Sequence, residues 1–150
     1  MTKRILLVED DLPKKTQIID SLRAASVELT FAQSVNEAIR RLDETTFDCV
    51  LLDMSLPTFN EGANASSSGR QQDFGGRQIL TYMWELEISS RVMLVTQLPG
   101  FKTEIGKEVK LKDLDEALTK DFPGLYMGFI HFTHSTDAWA RRIKDFVDAL

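Results

Sequence analysis

The sequence contains a single cysteine, Cys49, in 150 residues. That excludes an internal disulfide and fits a reducing, cytoplasmic setting. Long apolar runs are missing as well. Lys3 and Arg4 are followed by only four apolar residues, Ile5 to Val8, before the acids begin. That run is too short for a secretory leader, and no segment approaches the ~20 apolar residues of a membrane span. A soluble chain away from the membrane is expected. No run of lysine or arginine stands out, and the formal net charge is −5, so direct nucleic-acid binding is not expected. The nearest thing to a glycine-rich phosphate loop is Gly75-Gly76, which is too little to support a nucleotide site.

What is present suits one globular domain spanning residues 1–150, with 43% hydrophobic and 27% charged residues. Ile5-Leu6-Leu7-Val8 is a short apolar run that stops at Glu9-Asp10-Asp11, the pattern of a strand buried on both faces. Pro13 fits a first helical turn, and Ile18, Ile19, Leu22 and Ala25 continue at helical spacing. Val27 to Phe31 alternates as a second strand. Ser34 then caps a helix, with Glu37 as its capping-box partner and Val35, Ala38, Ile39 and Leu42 as the apolar stripe. A third run, Phe47 to Leu52, ends at Asp53, and a fourth, Arg91 to Val95, ends at Thr96. Helical spacing recurs at Ile79, Leu80, Met83 and Leu86, and again at Leu114, Ala117, Leu118 and Phe122. Leu125 to Phe132 reads as a fifth strand and Ala138 to Leu150 as a closing amphipathic helix. Two stretches break the rhythm, at about 58–75, rich in Ser, Asn, Gly and Gln, and at about 97–112. Both are expected as long insert loops.

Five short strands alternating with amphipathic helices predict an α/β fold with a parallel sheet covered on both faces. The economical form is a flavodoxin-like doubly wound (βα)5 sandwich, strand order 2-1-3-4-5. Ligands then sit at the carboxyl ends of the strands. Glu9, Asp10 and Asp53 converge there, and clustered carboxylates call for an offsetting charge. A hard divalent cation with oxygen ligands supplies one, with Mg²⁺ the common choice. Acids are also favoured in turns and at helix N-termini without any ligand, so it is their convergence with Thr96 at a third strand end that carries weight.

The segments Lys3 to Asp11, Asp48 to Pro57 and Val92 to Thr96 together resemble the response-regulator receiver domain, over roughly the first hundred residues. The resemblance implies a two-component signalling role with no turnover activity of its own. Asp53 would accept a phosphoryl group from a histidine kinase or phosphotransfer protein. Glu9, Asp10, Asp53 and the backbone carbonyl of Ser55 would hold Mg²⁺. Thr96 would bind the phosphoryl group and act as the switch. Output would pass to a downstream protein by direct contact, and homodimerisation through the last helix is compatible with the family. The family also carries a strand-five lysine, whereas Phe129 to His134 contains none. His131 is the nearest match for that position, and His134 reads as a surface loop residue. This departure raises an alternative, a phosphorylation-independent pseudo-receiver adaptor. A Mg²⁺-dependent phosphohydrolase ranks lower, because Asp53-Met54-Ser55 lacks a second acid two residues on.

Overall fold

The computed structural model describes residues 2–59, 71–72, 75–97, 100–102 and 108–150. Much of both expected insert loops lies outside these. The described elements, in chain order, are β1 (Lys3–Val8), α1 (Leu12–Ser21), β2 (Val27–Ala32), α2 (Val35–Glu44), β3 (Cys49–Leu52), β4 (Leu56–Pro57), β5 (Gln71–Gln72), α3 (Gly75–Glu85), β6 (Arg91–Thr96), β7 (Gly100–Lys102), β8 (Glu108–Lys110), α4 (Leu111–Asp121), β9 (Tyr126–His131) and α5 (Ala138–Asp148). The main sheet has five parallel strands in the order β2-β1-β3-β6-β9. This is the expected doubly wound order. Two short antiparallel pairs, β4-β5 and β7-β8, are additions that the sequence pattern does not announce.

The central strands β1 (from Ile5), β3 and most of β6 bury both faces, which is why their runs read as continuously apolar, whereas β2 at the sheet edge is only half-buried and alternates. Leu6, Val8, Val50, Leu52, Val92 and Leu94 pack under α2, α3 and α4. Ile5, Leu7, Cys49, Leu51, Val95 and Ile130 pack under α1 and α5, with Trp139, Ile143 and Val147 from the last helix. The Ser34 cap forms as expected: its hydroxyl accepts from the Glu37 N–H at 3.1 Å. The Glu37 carboxylate reaches back to the Gln33 N–H at 2.7 Å, one residue before the usual capping-box donor.

The β6-β9 ladder carries an irregularity that matters for the site. Val92 pairs with Tyr126, but Met93 pairs with Gly128, so Met127 is left over. Gly128 sits at φ +133, in a region that side chains rarely adopt. An extra residue in a strand changes which side chains face which side from there on. Beyond this bulge, Ile130 and Phe132 are buried on the α1/α5 face, while His131 between them is exposed.

Candidate functional site

The carboxyl ends of β1, β3 and β6 lie side by side, and each delivers a polar residue at the point where its apolar run stops. Glu9 continues the β1 ladder, its N–H donating to the Ala32 carbonyl at 2.9 Å. The Asp53 N–H donates to the Val8 carbonyl at 3.1 Å, so Asp53 is held in line with β1. Glu9, Asp10 and Asp53 each offer a carboxylate oxygen, all within 4.8 Å of one another. Glu9 and Asp53 are buried, whereas Asp10 is exposed. Thr96 is fully buried at the end of β6, and Ser55 is buried in the loop after Asp53.

The loop after Asp53 is set by α3. The Gly76 N–H donates to the Met54 carbonyl at 2.8 Å. A Cβ on Gly76 would come within 2.7 Å of the Asp53 carbonyl oxygen and 2.9 Å of Met54 Cα. Only glycine lets the helix start this close to the backbone of the site.

The charge of the cluster is offset from an unexpected direction. Lys14, in the first turn of α1, is 1% exposed. Its Nζ lies 2.6 Å from Glu9 Oε1 and 3.7 Å from Asp53 Oδ1, and donates to the Val95 carbonyl at 2.8 Å. Burial pushes the Glu9 carboxyl up to about 8, reinforced by the Asp53 charge and opposed by Lys14. Burial also raises Asp53, against the pull of Lys14 and of hydrogen bonds from Glu9, Ser55 and Met54. Asp10 is raised by its partial burial and then by Asp53. The buried pair Glu9 and Asp53 therefore holds protons more tightly than exposed acids do.

The structure brings the Glu9, Asp10 and Asp53 carboxylates together, with Ser55 buried two residues after Asp53 and Thr96 buried at the end of the neighbouring strand β6. His131 pairs with Thr96 in register, but its side chain is exposed. The next residue, Phe132, is fully buried, with its ring centre 5.9 Å from Lys14 Nζ. His134 contacts Gln17 at 2.7 Å on the surface. Lys14 is the residue that the sequence reading missed. A signal was there: Lys14, Ile18 and Leu22 fall on one helical stripe, and the other two are core residues. A separate cavity of about 350 Å³, lined by Trp84, Ile88, Pro123 and Leu125 among others, opens at the opposite edge of the sheet, away from the acids.

No protein-family model matches the chain. It is 30% identical over 107 residues to the Detocs response regulatory protein DtcB of Vibrio alginolyticus, covering 67% of this chain and 69% of that protein. It is 25% identical over 144 residues to the protein of the same name from Enterobacter cloacae, covering 91% and 92%. Among solved structures, the signal receiver domain of a Luxo repressor protein from Vibrio parahaemolyticus superposes with a TM-score of 0.68 at 16% identity, over 99% of this chain and 89% of that one. The response regulator TrrA of Thermotoga maritima, solved with Mg²⁺-BeF, superposes with a TM-score of 0.59 at 16% identity, over 95% and 97%. At such identities the two structures bear on the fold alone.

Proposed function

The chain belongs to the response-regulator receiver family, and we propose that it works there as a phosphoacceptor, with Asp53 taking a phosphoryl group from the phosphohistidine of a histidine kinase or phosphotransfer protein. The observation that carries this reading is the convergence of Glu9 and Asp10 on Asp53 at the carboxyl edge of the sheet. In the transfer, the phosphorus–nitrogen bond of the donor breaks and its electron pair stays on the imidazole. A bond forms from an Asp53 carboxylate oxygen to phosphorus. Little covalent chemistry falls to the protein in such a reaction. It positions groups and offsets charge.

The donor set fits Mg²⁺. Every candidate ligand is a hard oxygen, and one of them, Asp10, is open to solvent. Three carboxylates and one ammonium leave two net negative charges when all are ionised, which a divalent cation cancels. Glu9, Asp10, Asp53 and the Ser55 carbonyl would hold the ion, and when bound it screens the acceptor from the incoming phosphate. Thr96, buried at the end of β6, would supply the hydroxyl that meets a phosphoryl oxygen. The added charge then biases neighbouring loops and the surface offered to a downstream protein. Residues 1–150 would act as a single unit, and a second copy of the chain is a candidate partner.

Incubation with acetyl phosphate and Mg²⁺, followed by intact-mass measurement, tests this reading. A gain of one phosphoryl group that disappears in Asp53→Asn is expected. No gain in the wild type, under conditions that label a control receiver, would overturn it. A second reading draws on Lys14, which already offsets part of the cluster's charge. Under that reading the domain is a phosphorylation-independent adaptor, and Asp53→Asn would leave partner binding unchanged.

A further inference from the structure

Lys14 occupies a position that is costly on two counts. An ammonium taken out of water loses its hydration and needs charged partners to offset the loss. It also sits in the first turn of α1 (Leu12–Ser21), at the positive end of the helix, where a cation is disfavoured. A simple core position would be better served by Met or Leu. What holds the lysine there is the site itself: Glu9 Oε1 at 2.6 Å and the Val95 carbonyl at 2.8 Å take two of its three N–H groups. Asp53 Oδ1, at 3.7 Å, lies beyond hydrogen-bonding range of the third. The ammonium is therefore anchored by two contacts and faces the acceptor carboxylate with a donor to spare.

A phosphoryl group on Asp53 adds three oxygens to the space around that carboxylate. They need donors and positive charge. Among the described residues, Lys14 is the cation that contacts Asp53. The fully buried Phe132 ring lies 5.9 Å from the ammonium, and Lys14 itself is 1% exposed, so the ammonium is shielded from bulk solvent. The end of β9 offers no charge on this face, because Phe132 fills it and His131 is exposed.

We propose that Lys14, reaching in from α1, is the phosphoryl-binding cation of this domain, turning from Asp53 to the phosphoryl oxygens once the aspartyl phosphate forms. The proposal rests on the phosphoacceptor reading of Asp53. No covalent bond to Lys14 is made or broken. Its contact with the Val95 carbonyl ties the phosphoryl group to the end of β6, next to Thr96. The lysine thereby couples the charge on Asp53 to the strand that carries the buried hydroxyl.

Two measurements on Lys14→Met, with Lys14→Arg beside it, test the assignment; circular dichroism verifies that both fold. The first is the rate of acetyl phosphate labelling with Mg²⁺. Loss of a charge-assisted hydrogen bond predicts a fall of about tenfold to a hundredfold in Lys14→Met, with part of the rate retained in Lys14→Arg. The second is Mg²⁺ affinity by calorimetry without any phosphoryl donor. Removing a positive charge from among three carboxylates predicts several-fold tighter binding in Lys14→Met. A merely structural lysine would weaken both together, and opposite movements distinguish the two. Labelling of folded Lys14→Met at the wild-type rate or faster would overturn the assignment, as would a large loss in His131→Ala with Lys14→Met unaffected. If the wild type itself takes no label, the phosphoacceptor reading fails and this proposal with it. Labelling in the wild type with no loss in Lys14→Met removes the proposal alone.

Discussion

Glu9 and Asp53 are buried side by side, and their charges compete for one ammonium. The consequence is a pH dependence of defined sign. A carboxyl whose folded value is raised, here from 4.5 to about 8 for Glu9, contributes stability that is complete below the unfolded value. That contribution is lost as pH rises through the folded one. Metal-free protein should therefore lose stability between about pH 5 and pH 8 as Glu9 ionises. Mg²⁺ requires the ionised form, so its affinity should rise over the same interval. Thermal melts with EDTA or with Mg²⁺, at pH 6 and pH 8.5, check this prediction. At one fixed free Mg²⁺ concentration, ten times the Kd at pH 8.5, the gain at pH 8.5 is about 1.4 kcal/mol, and the shift in Tm should be smaller at pH 6, where the affinity is weaker. An equal shift at both would show that Glu9 does not take part. The strand-end positions of Glu9, Asp10, Asp53 and Thr96 were legible in the sequence, because each marks the place where an apolar run stops. Lys14 was not read, since a lysine after Pro13, next to Lys15, looks like a solvated first turn. Its partner Val95 is 81 residues away, and no local pattern announces such a contact.

At the scale of elements, the site depends on two backbone features that carry no chemistry of their own. Gly76 starts α3 against the backbone of Asp53 and Met54. Gly76→Ala forces either the helix or the loop to move, at about 1–3 kcal/mol for an overpacked position. Chemical denaturation should show that loss, together with weaker Mg²⁺ binding, because the displaced segment includes the Ser55 carbonyl. An unchanged midpoint and unchanged binding would mean that the approach is looser than the distances imply. Gly128 is the second feature. Its positive φ accompanies the bulge that turns Phe132 inward and His131 outward. The run Leu125 to Phe132 was readable as a strand, but the bulge was not, so the identity of the inward residue could not be read from alternation. The β7-β8 hairpin escaped for a related reason: strands of three residues are too short to show a period.

For the whole molecule, the (βα)5 order was readable because parallel strands buried on both faces give short, uninterrupted apolar runs separated by amphipathic helices. The same topology brings residues 9, 53 and 96 to one edge, although they are far apart in the chain. The two halves of the core meet different helices, α1 and α5 on one side and α2, α3 and α4 on the other. Lys14 belongs to the first side, and the Thr96 backbone links β6 to the end of β9 through the Phe132 N–H at 2.8 Å. Most of the expected insert at about 58–75 falls outside the described residues, whereas the described part of 97–112 carries the β7-β8 hairpin and the start of α4. The direct test of the central claim is a fluorine NMR titration with beryllofluoride, an analogue of the phosphoryl group. With Mg²⁺ present, bound resonances should appear in the wild type and be missing in Asp53→Asn. Bound resonances that persist in Asp53→Asn, or none in the wild type at saturating Mg²⁺, would contradict the assignment of Asp53 as the phosphoacceptor.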